Sequence, residues 1–530
     1  MDKEKNITRV ELPFKAYWFI MTFLTISFVF LLTWKLTDIP VFYNVDEAGT
    51  AYDAKSLANY HVDRFLYHFP VYLLNYDRGQ SVLYAYLTAG LIKLFGFYRV
   101  SVRLPAVFLS LLSAIIFSLF LRKRYGSIPS VISMGIFCIL PFSVMHSRWG
   151  LDAYLFFPML MISCVALCHA VDNSKCFWYF LSSCLFGMTL YSYALSYVVV
   201  FVFLVIIFAY LLFTKKISLT KLFIIAIVLF ILALPLILLL LVNFNIIGEI
   251  KTRFLSVPKL PAFGGGEISF LNIIDNLRLT KQNIFYKIFV DDGLLFNIIP
   301  EYGSMYFISV PLIFYGMMIT IKKVIHIIHG RSFSFDLIMA VLFFVIFLFS
   351  LMLDDPNVNR VNGIYVPLFF FLIIGFSNIF DRSKILAGVY AIIYLVCFIS
   401  FLNYYFHSFS DDLKPYILFT SIEDFGNALS FAEEVSEEDY VIYILDHPAA
   451  YLYVLLLRDI DPYTFDKIKV LSYDNYIKMI GKYRFRLDAI MPDHVYIYLS
   501  EKLIPKNIDD YGFVRRNFGS LTVFYPQRIQ

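Results

Sequence analysis

The stretch YNVDEAGTAYD, Tyr43 to Asp53, decides how the chain reads. It follows the first long apolar segment and sets two adjacent carboxylates, Asp46 and Glu47, where that segment should leave a bilayer. A carboxylate beside hydrocarbon loses hydration that only a partner, a metal or an aqueous cavity restores, so its default reading is functional. The plainer alternative is that both acids cap the next helix, since acidic residues favour helix N-termini. Position alone leaves the two readings level.

Of the 530 residues, 60% are hydrophobic and 16% charged, and mean hydropathy is +0.73. A soluble chain carries about a quarter charged residues and breaks its apolar runs more often, so the composition predicts a mainly α, polytopic membrane protein. Net charge is only +4 and gives no reason to expect nucleic acid. The six cysteines, Cys138, Cys164, Cys168, Cys176, Cys184 and Cys397, lie in or at the edge of apolar segments, with neither a disulfide framework nor metal spacing. The N-terminus MDKEKNITRVELPFK is basic and precedes a long apolar run without a small-residue cleavage site, which predicts an uncleaved signal anchor.

Apolar runs of about 17 to 25 residues predict about eleven transmembrane helices. They fall near 16–36, 103–121, 127–145, 153–171, 176–192, 197–213, 219–243, 304–323, 334–353, 361–380 and 384–402. The run at 81–96 is short and carries Lys93, and is expected to lie on the membrane as an interfacial helix. With that choice the short basic connections fall on one side: the N-terminus, Arg122 to Arg124, Lys175, Lys215 and Lys216, Lys322, Lys323 and Arg331, and Arg382 with Lys384. Positive residues mark the cytoplasm, so the N-terminus is expected inside and the C-terminus outside.

The outer face then receives the loops with chemical texture. Loop 37–102 is too long for a simple connection and is expected to fold as two helices against the bilayer. Loop 244–303, with prolines and the triple glycine at 264–266, reads as a mobile flap. The domain organisation expected is a transmembrane unit over 1–402 and an extracytoplasmic α/β domain over 403–530. In the latter SIEDFGNALSFAEEV reads as a helix, and DYVIYIL, HVYIYLS and SLTVFYP read as strands.

Three outer-face signals can meet in space: Asp46 with Glu47; MHSRWGLDAYLFF with Arg148 and Asp152; and DDPNVNRVNG with Asn359, Arg360 and Asn362. Carboxylates and arginines at one interface suit a reaction in which a hydroxyl loses a proton while a phosphate departs. An arginine fork matches phosphate oxygens bidentately. Each signal also has a bland reading. Arg148 and Asp152, four apart, suit an ion pair on one helix face, and Arg360 and Arg78 suit lipid headgroups.

The order of these motifs resembles that of bacterial relatives of the protein O-mannosyltransferases and of the lipid A aminoarabinose transferase, membrane glycosyltransferases of the GT-C fold. The likeness runs over about residues 10 to 400. It rests on VDEAGTAYDA, on NYDRGQSVLYAYLTAGLIKLFGFYRVSVRLPAVFLSLLSAIIFSLFLRKRYG, and on MHSRWGLDAYLFFPML, GMTLYSYALSYVVV and NRVNGIYVPLFFFLIIGF. It implies a polyprenyl-phosphate sugar donor and a glycan, lipid or protein acceptor. It also implies that Asp46, with Glu47 and Asp152, does the catalytic work, that Arg148, Arg360 and Arg78 contact the donor phosphate, and that Tyr191, Tyr193, Asn359 and Asn362 lie near the sugar. Many relatives have Lys-Pro-Pro-Leu where this chain has Arg78-Gly79-Gln80-Ser81, which puts a donor or metal contact from that segment in question.

A divalent cation is left open: His61, His68, Asp63 and Asp77 are candidate ligands, but their spacing fits no defined set. Two other function classes compete with the transferase. A transporter or flippase of lipid-linked sugars needs ionisable groups near the bilayer midplane or broken helices in matched halves, and the spans here are nearly free of charge at their centres. A non-enzymatic envelope assembly protein would use the C-terminal region to bind a partner.

Overall fold

The computed structural model describes residues 11–41, 43–75, 79–261, 269–278, 283–414, 421–437, 439–445, 447, 449–471, 476–487 and 489–527. Arg78, Asp77 and the triple glycine at 264–266 therefore lie outside the described residues.

The first span is α1 (Phe14–Thr33), followed by α2 (Val45–Tyr60), the short hairpin β1 (Tyr72–Leu73) and β2 (Gln80–Ser81), and α3 (Leu83–Phe95). The loop expected to hold two helices does hold α2 and α3. Next come α4 (Arg99–Tyr125), α5 (Ser127–Ile139), α6 (Pro141–His146), α7 (Phe156–Asn173), α8 (Cys176–Leu190), α9 (Ser196–Phe213) and α10 (Leu219–Asn243). The segment read as a flap contains the hairpin β3 (Ile250–Lys251) and β4 (Ser256–Val257), then α11 (Asn272–Leu277) and α12 (Ile284–Phe289). The bundle closes with α13 (Ser309–His329), α14 (Phe335–Leu351), α15 (Val358–Val361), α16 (Tyr365–Arg382) and α17 (Lys384–His407).

Each expected span overlaps helix, although 127–145 breaks at Leu140 into α5 and α6. Among the described residues, eight helical stretches are long and apolar enough to cross a membrane, whereas α5, α8 and α14 are shorter, at 13, 15 and 17 residues. Burial ranks the helices. The apolar windows of α7 and α16 are 94% and 78% buried and form the centre, while α10 and α17, each 17% buried, present their apolar sides outward. Several basic turns share one end of the bundle: Arg122 lies over Tyr17 and Trp18 at the start of α1, Arg124 pairs with Asp172 at the end of α7, Lys323 with Asp336 at the start of α14, and Arg331 lies over Phe213 at the end of α9. The α4 end shows why they suit it, with Arg122, Lys123 and Arg124 in the last helical turn beside the carbonyl dipoles.

At the opposite end lie α2, α3, both hairpins and the C-terminal region. There α18 (Phe409–Leu413) and α19 (Ile422–Val435) precede β5 (Ile442–Leu445), α20 (Ala450–Leu457) and α21 (Pro462–Ile468). The remaining strands are β6 (Lys469–Leu471), β7 (Ile477–Ile480), β8 (Tyr483–Arg484), β9 (Val495–Tyr498), β10 (Phe513–Phe518) and β11 (Leu521–Pro526). They form one sheet in the order β10-β11-β9-β5-β8-β7-β6, in which β5 runs parallel to β8 and β9 and the other pairs are antiparallel. The expected helix and three strands are α19, β5, β9 and β11. The change of composition expected at 403 falls inside α17, which continues to His407. One apolar core joins Tyr43, Ala48, Ala51 and Tyr52 around α2 to Leu452, Val454 and Ile497 of the sheet domain.

Candidate active site

The helix α2 begins at Asn44, whose side chain accepts from the Asp46 backbone N–H at 2.9 Å and so fixes where the helix starts. The two acids that follow point to different surroundings. Glu47 has no exposure; Arg103 of α4 donates to both its oxygens, at 2.8 and 3.0 Å, and the Gly150 N–H adds a third bond at 3.0 Å. Arg103 also donates to the Leu36 and Pro40 carbonyls, at 2.7 and 3.0 Å. Glu47 therefore pins α2 to α1 and α4. Both Glu47 oxygens carry hydrogen bonds, which gives this acid a structural duty that its place in the sequence did not announce.

Asp46 is half-buried and accepts from Asn75 Nδ2 at 2.8 Å. The same nitrogen donates to Gln80 Oε1 at 3.3 Å, and Gln80 Nε2 lies 3.5 Å from Asp152 Oδ1. Asp152 opens the 3-10 turn Asp152–Leu155 ahead of α7, and is fixed by the N–H groups of Ser81 at 3.0 Å and Ala153 at 2.9 Å. Two carboxylates from segments far apart in sequence thus share one amide relay, and the Asp46 charge reaches Asp152. Burial pushes the Asp46 carboxyl above its usual range, against the opposing effects of the Asn75 amide and the Arg64 guanidinium. That shift moves a carboxylate toward the working range of a general base. Gly79 makes the relay fit: it has φ +115°, and a Cβ there would come 2.8 Å from the Leu73 carbonyl oxygen.

The other expected site residues divide. Arg148 is fully buried, and its guanidinium donates to the carbonyls of Leu31, Trp34 and Ile39 at 2.6, 2.7 and 2.8 Å, over the rings of Tyr405 and Phe406. Its partners are these carbonyls and not Asp152: the arginine caps the end of α1 at Leu31 and Trp34 and holds the following turn at Ile39. Arg360 in α15 is half-exposed and donates to the Asp355 carbonyl at 3.2 Å. Asn362 is buried and donates to the Ala153 carbonyl, which ties the NRVNG turn to the Asp152 turn. The side-chain oxygens of Asn359 and Asn362 are buried without a hydrogen-bond partner. The Tyr191 hydroxyl donates to the Leu232 carbonyl at 2.6 Å, leaving its ring to line an apolar cavity of about 290 Å³ with Phe69, Leu83 and Pro235. Tyr193 is half-buried against the main bundle core.

Several residues at the site carried no sequence signal. Asn75 and Gln80 are ordinary amides in a loop. Asp292 lies between α12 and α13; it accepts from the Val358 N–H at 3.0 Å and Asn297 Nδ2 at 2.7 Å and so anchors the NRVNG turn from below. Tyr197 at the start of α9 lies in electrostatic reach of Asp152 and Ser81. It also ends an apolar cleft of about 740 Å³ between α9 and α10, lined by Leu204, Phe208, Ala226, Ala233 and Leu236.

Of the suggested metal ligands, Asp63 is buried and accepts from the Phe65 and Tyr67 N–H groups, while His61 stacks on Phe69 at the exposed end of α2. His68 is half-exposed and takes part in a backbone bridge with Val62. Among the described residues no three His, Cys, Asp or Glu side chains gather as a cation site.

Residues 79–239 match the family described as dolichyl-phosphate-mannose-protein mannosyltransferase. No curated protein matches the chain in sequence. In fold, the chain is similar to ArnT from Cupriavidus metallidurans bound to undecaprenyl phosphate, at a TM-score of 0.52 and 10% identity, over 97% of this chain and 98% of that one. It is also similar to the Archaeoglobus fulgidus oligosaccharyltransferase in complex with Zn and sulfate, at a TM-score of 0.52 and 11% identity, over 83% of this chain and 61% of that one. The archaeal oligosaccharyltransferase AglB from Archaeoglobus fulgidus, in complex with an inhibitory peptide and a dolichol-phosphate, gives a TM-score of 0.50 and 12% identity over 84% of this chain and 64% of that one. With its helical bundle and C-terminal sheet domain, the chain has the ArnT-like GT-C fold, and its residues 79–239 are similar to the dolichyl-phosphate-mannose-protein mannosyltransferase family.

Proposed function

We propose that the protein is a membrane glycosyltransferase that moves a monosaccharide from a polyprenyl-phosphate carrier to an acceptor hydroxyl at the extracytoplasmic face. The observation that carries this reading is the relay Asp46–Asn75–Gln80–Asp152, which sits at the bundle end away from the basic turns and beside the apolar cleft between α9 and α10. The positive turns belong to the cytoplasm, so the site end faces outward.

In this mechanism the acceptor oxygen attacks the anomeric carbon as the bond from that carbon to the phosphate oxygen breaks. The bonding pair leaves with the phosphate, an anion stable enough to depart without a general acid. Asp46 takes the proton of the acceptor hydroxyl, and single displacement inverts the anomeric centre. Asp152, held by two backbone N–H groups, is suited to orient a hydroxyl of the sugar or acceptor. Arg360, the half-exposed arginine of the late turn, is assigned to the departing phosphate, since Asn362 of the same turn bonds to the Ala153 carbonyl beside Asp152. The apolar cleft suits the isoprenoid chain, and the ring of Tyr191 suits the carrier near its headgroup.

The test is transfer from undecaprenyl-phosphate-linked hexoses and pentoses in detergent by the wild type and Asp46→Asn. Loss of turnover at unchanged protein level is expected. Undiminished turnover overturns the assignment of the base.

A further inference from the structure

The C-terminal sheet domain reaches α2 through a buried relay that the reaction above does not use. Arg64, in the loop after α2, has no exposure. Its Nε lies 2.9 Å from Asp53 Oδ1 and its Nη2 2.5 Å from Asp53 Oδ2, so one fork of the guanidinium grips the helix. On the other side Nη1 donates to the hydroxyl of Tyr451 in α20 at 3.2 Å. The relay therefore starts in the sheet domain and ends on the helix that carries Asp46.

Gly49 lies one helical turn beyond Asp46, and a Cβ there would come 2.8 Å from Arg64 Nη2 and 3.1 Å from Asn75 Oδ1. Both side chains thus fill the space that the glycine leaves open. Asn75 is the residue that donates to Asp46, so displacement of Arg64 is felt at the amide relay. The domain is held in register by further contacts: Tyr453 donates to the Tyr43 carbonyl at 2.8 Å, Tyr52 donates to the Ile460 carbonyl at 2.7 Å, and Lys55 pairs with Asp459.

We infer that Arg64 is a positioning residue for Asp46 and that Tyr451 holds it in place, which makes the C-terminal domain a working part of the site. The inference rests on the reading of Asp46 as the base. Removing the Tyr451 hydroxyl leaves a buried N–H without an acceptor, a state that drives the guanidinium to move. The charges around the relay are defined. Asp53 and the buried Asp63 face Arg64, with the Tyr451 hydroxyl opposite them. Asp152, Tyr154 and Tyr453 face Asp46, and the adjacent Glu47 is neutralised by Arg103.

The test uses the full-length protein with two readouts: turnover of undecaprenyl-phosphate-linked sugars across pH, and hydrogen exchange, which needs no substrate. Tyr451→Phe should lower kcat about tenfold with donor KM unchanged, and should raise exchange over residues 45–53 and 72–75. Arg64→Gln should move the acid limb of the rate profile upward, because a charge that favours ionised Asp46 is gone, and Arg64→Lys should restore part of the shift. If Arg64→Gln does not fold, Tyr451→Phe, which removes a single hydroxyl, decides. Wild-type exchange and kcat in Tyr451→Phe, with Asp46→Asn inactive, overturn this inference alone. An active Asp46→Asn overturns the assignment of the base instead. Where no donor turns over, unchanged exchange in Tyr451→Phe overturns the inference and raised exchange supports it.

Discussion

Arg103 meets Glu47 edge to edge, Nε 2.8 Å from Oε1 and Nη2 3.0 Å from Oε2, with neither side chain exposed. A charge so placed is tolerable only while its partner is present. Glu47→Gln leaves an uncompensated guanidinium and should cost about 3–5 kcal/mol. Asp46, half-buried and bonded through one amide, should tolerate Asn with little loss of stability. Thermal unfolding in detergent checks both. A stable but inactive Glu47→Gln would return Glu47 to the chemistry.

The raised pKa of Asp46 predicts how rate depends on pH. A base must be unprotonated, so turnover should fall as pH drops through its pKa. Burial sets that value above the roughly 4 of an ordinary aspartate. The acid limb of kcat/KM should therefore lie above the usual carboxylate range, measured with a donor whose phosphate stays ionised throughout. A limb at the ordinary position would mean that the titrating base is a different, solvated group.

The crossing of α13 and α16 admits no side chain at two glycines. A Cβ on Gly316 would come 1.8 Å from the Phe371 carbonyl oxygen, and one on Gly375 would come 2.1 Å from that of Leu312. Backbone cannot move aside as a flexible side chain does, so Gly316→Ala and Gly375→Ala should each destabilise by about 3 kcal/mol or more. Gly388 in α17 has nothing within 4 Å of its Cβ position, and Gly388→Ala should leave the melting temperature near that of the wild type. Equal behaviour of all three would show that the two helices do not pack at this crossing.

The bundle was legible because a bilayer demands long apolar helices, and each expected run falls on helix, eight of them in stretches long and apolar enough to span among the described residues. Patterning also exposed α19, β5, β9 and β11, whose periodicities are plain, but not β10 or the short strands β6 to β8, which join the same sheet yet carry no long apolar alternation. At the site, Asp46 and Asp152 were legible as acids at a membrane edge. The separate duties of Glu47 and Arg148 were not. An arginine aimed at a phosphate and one capping three carbonyls look alike in sequence, and only the fold shows which partners are within reach. Asn75, Gln80 and Asp292 lacked any signal, because a loop amide or acid gains its role from what the chain places beside it.

The cleft between α9 and α10 offers a test of the donor class that does not touch the acids. Ala226 and Ala233 line it, and a tryptophan at either position would fill space that an isoprenoid chain occupies in the proposed complex. Each methylene kept from burial forfeits about 0.8 kcal/mol, so Ala226→Trp or Ala233→Trp should raise KM for an undecaprenyl carrier at least tenfold. Carriers of one or two isoprene units, too short to reach down the cleft, should keep their KM, and kcat should hold for both because Asp46 and Asp152 are untouched. Competition with free undecaprenyl phosphate should weaken in parallel. An equal rise for long and short carriers would point instead to distortion at the headgroup, and no rise for the long carrier would place the lipid chain against another face of the bundle.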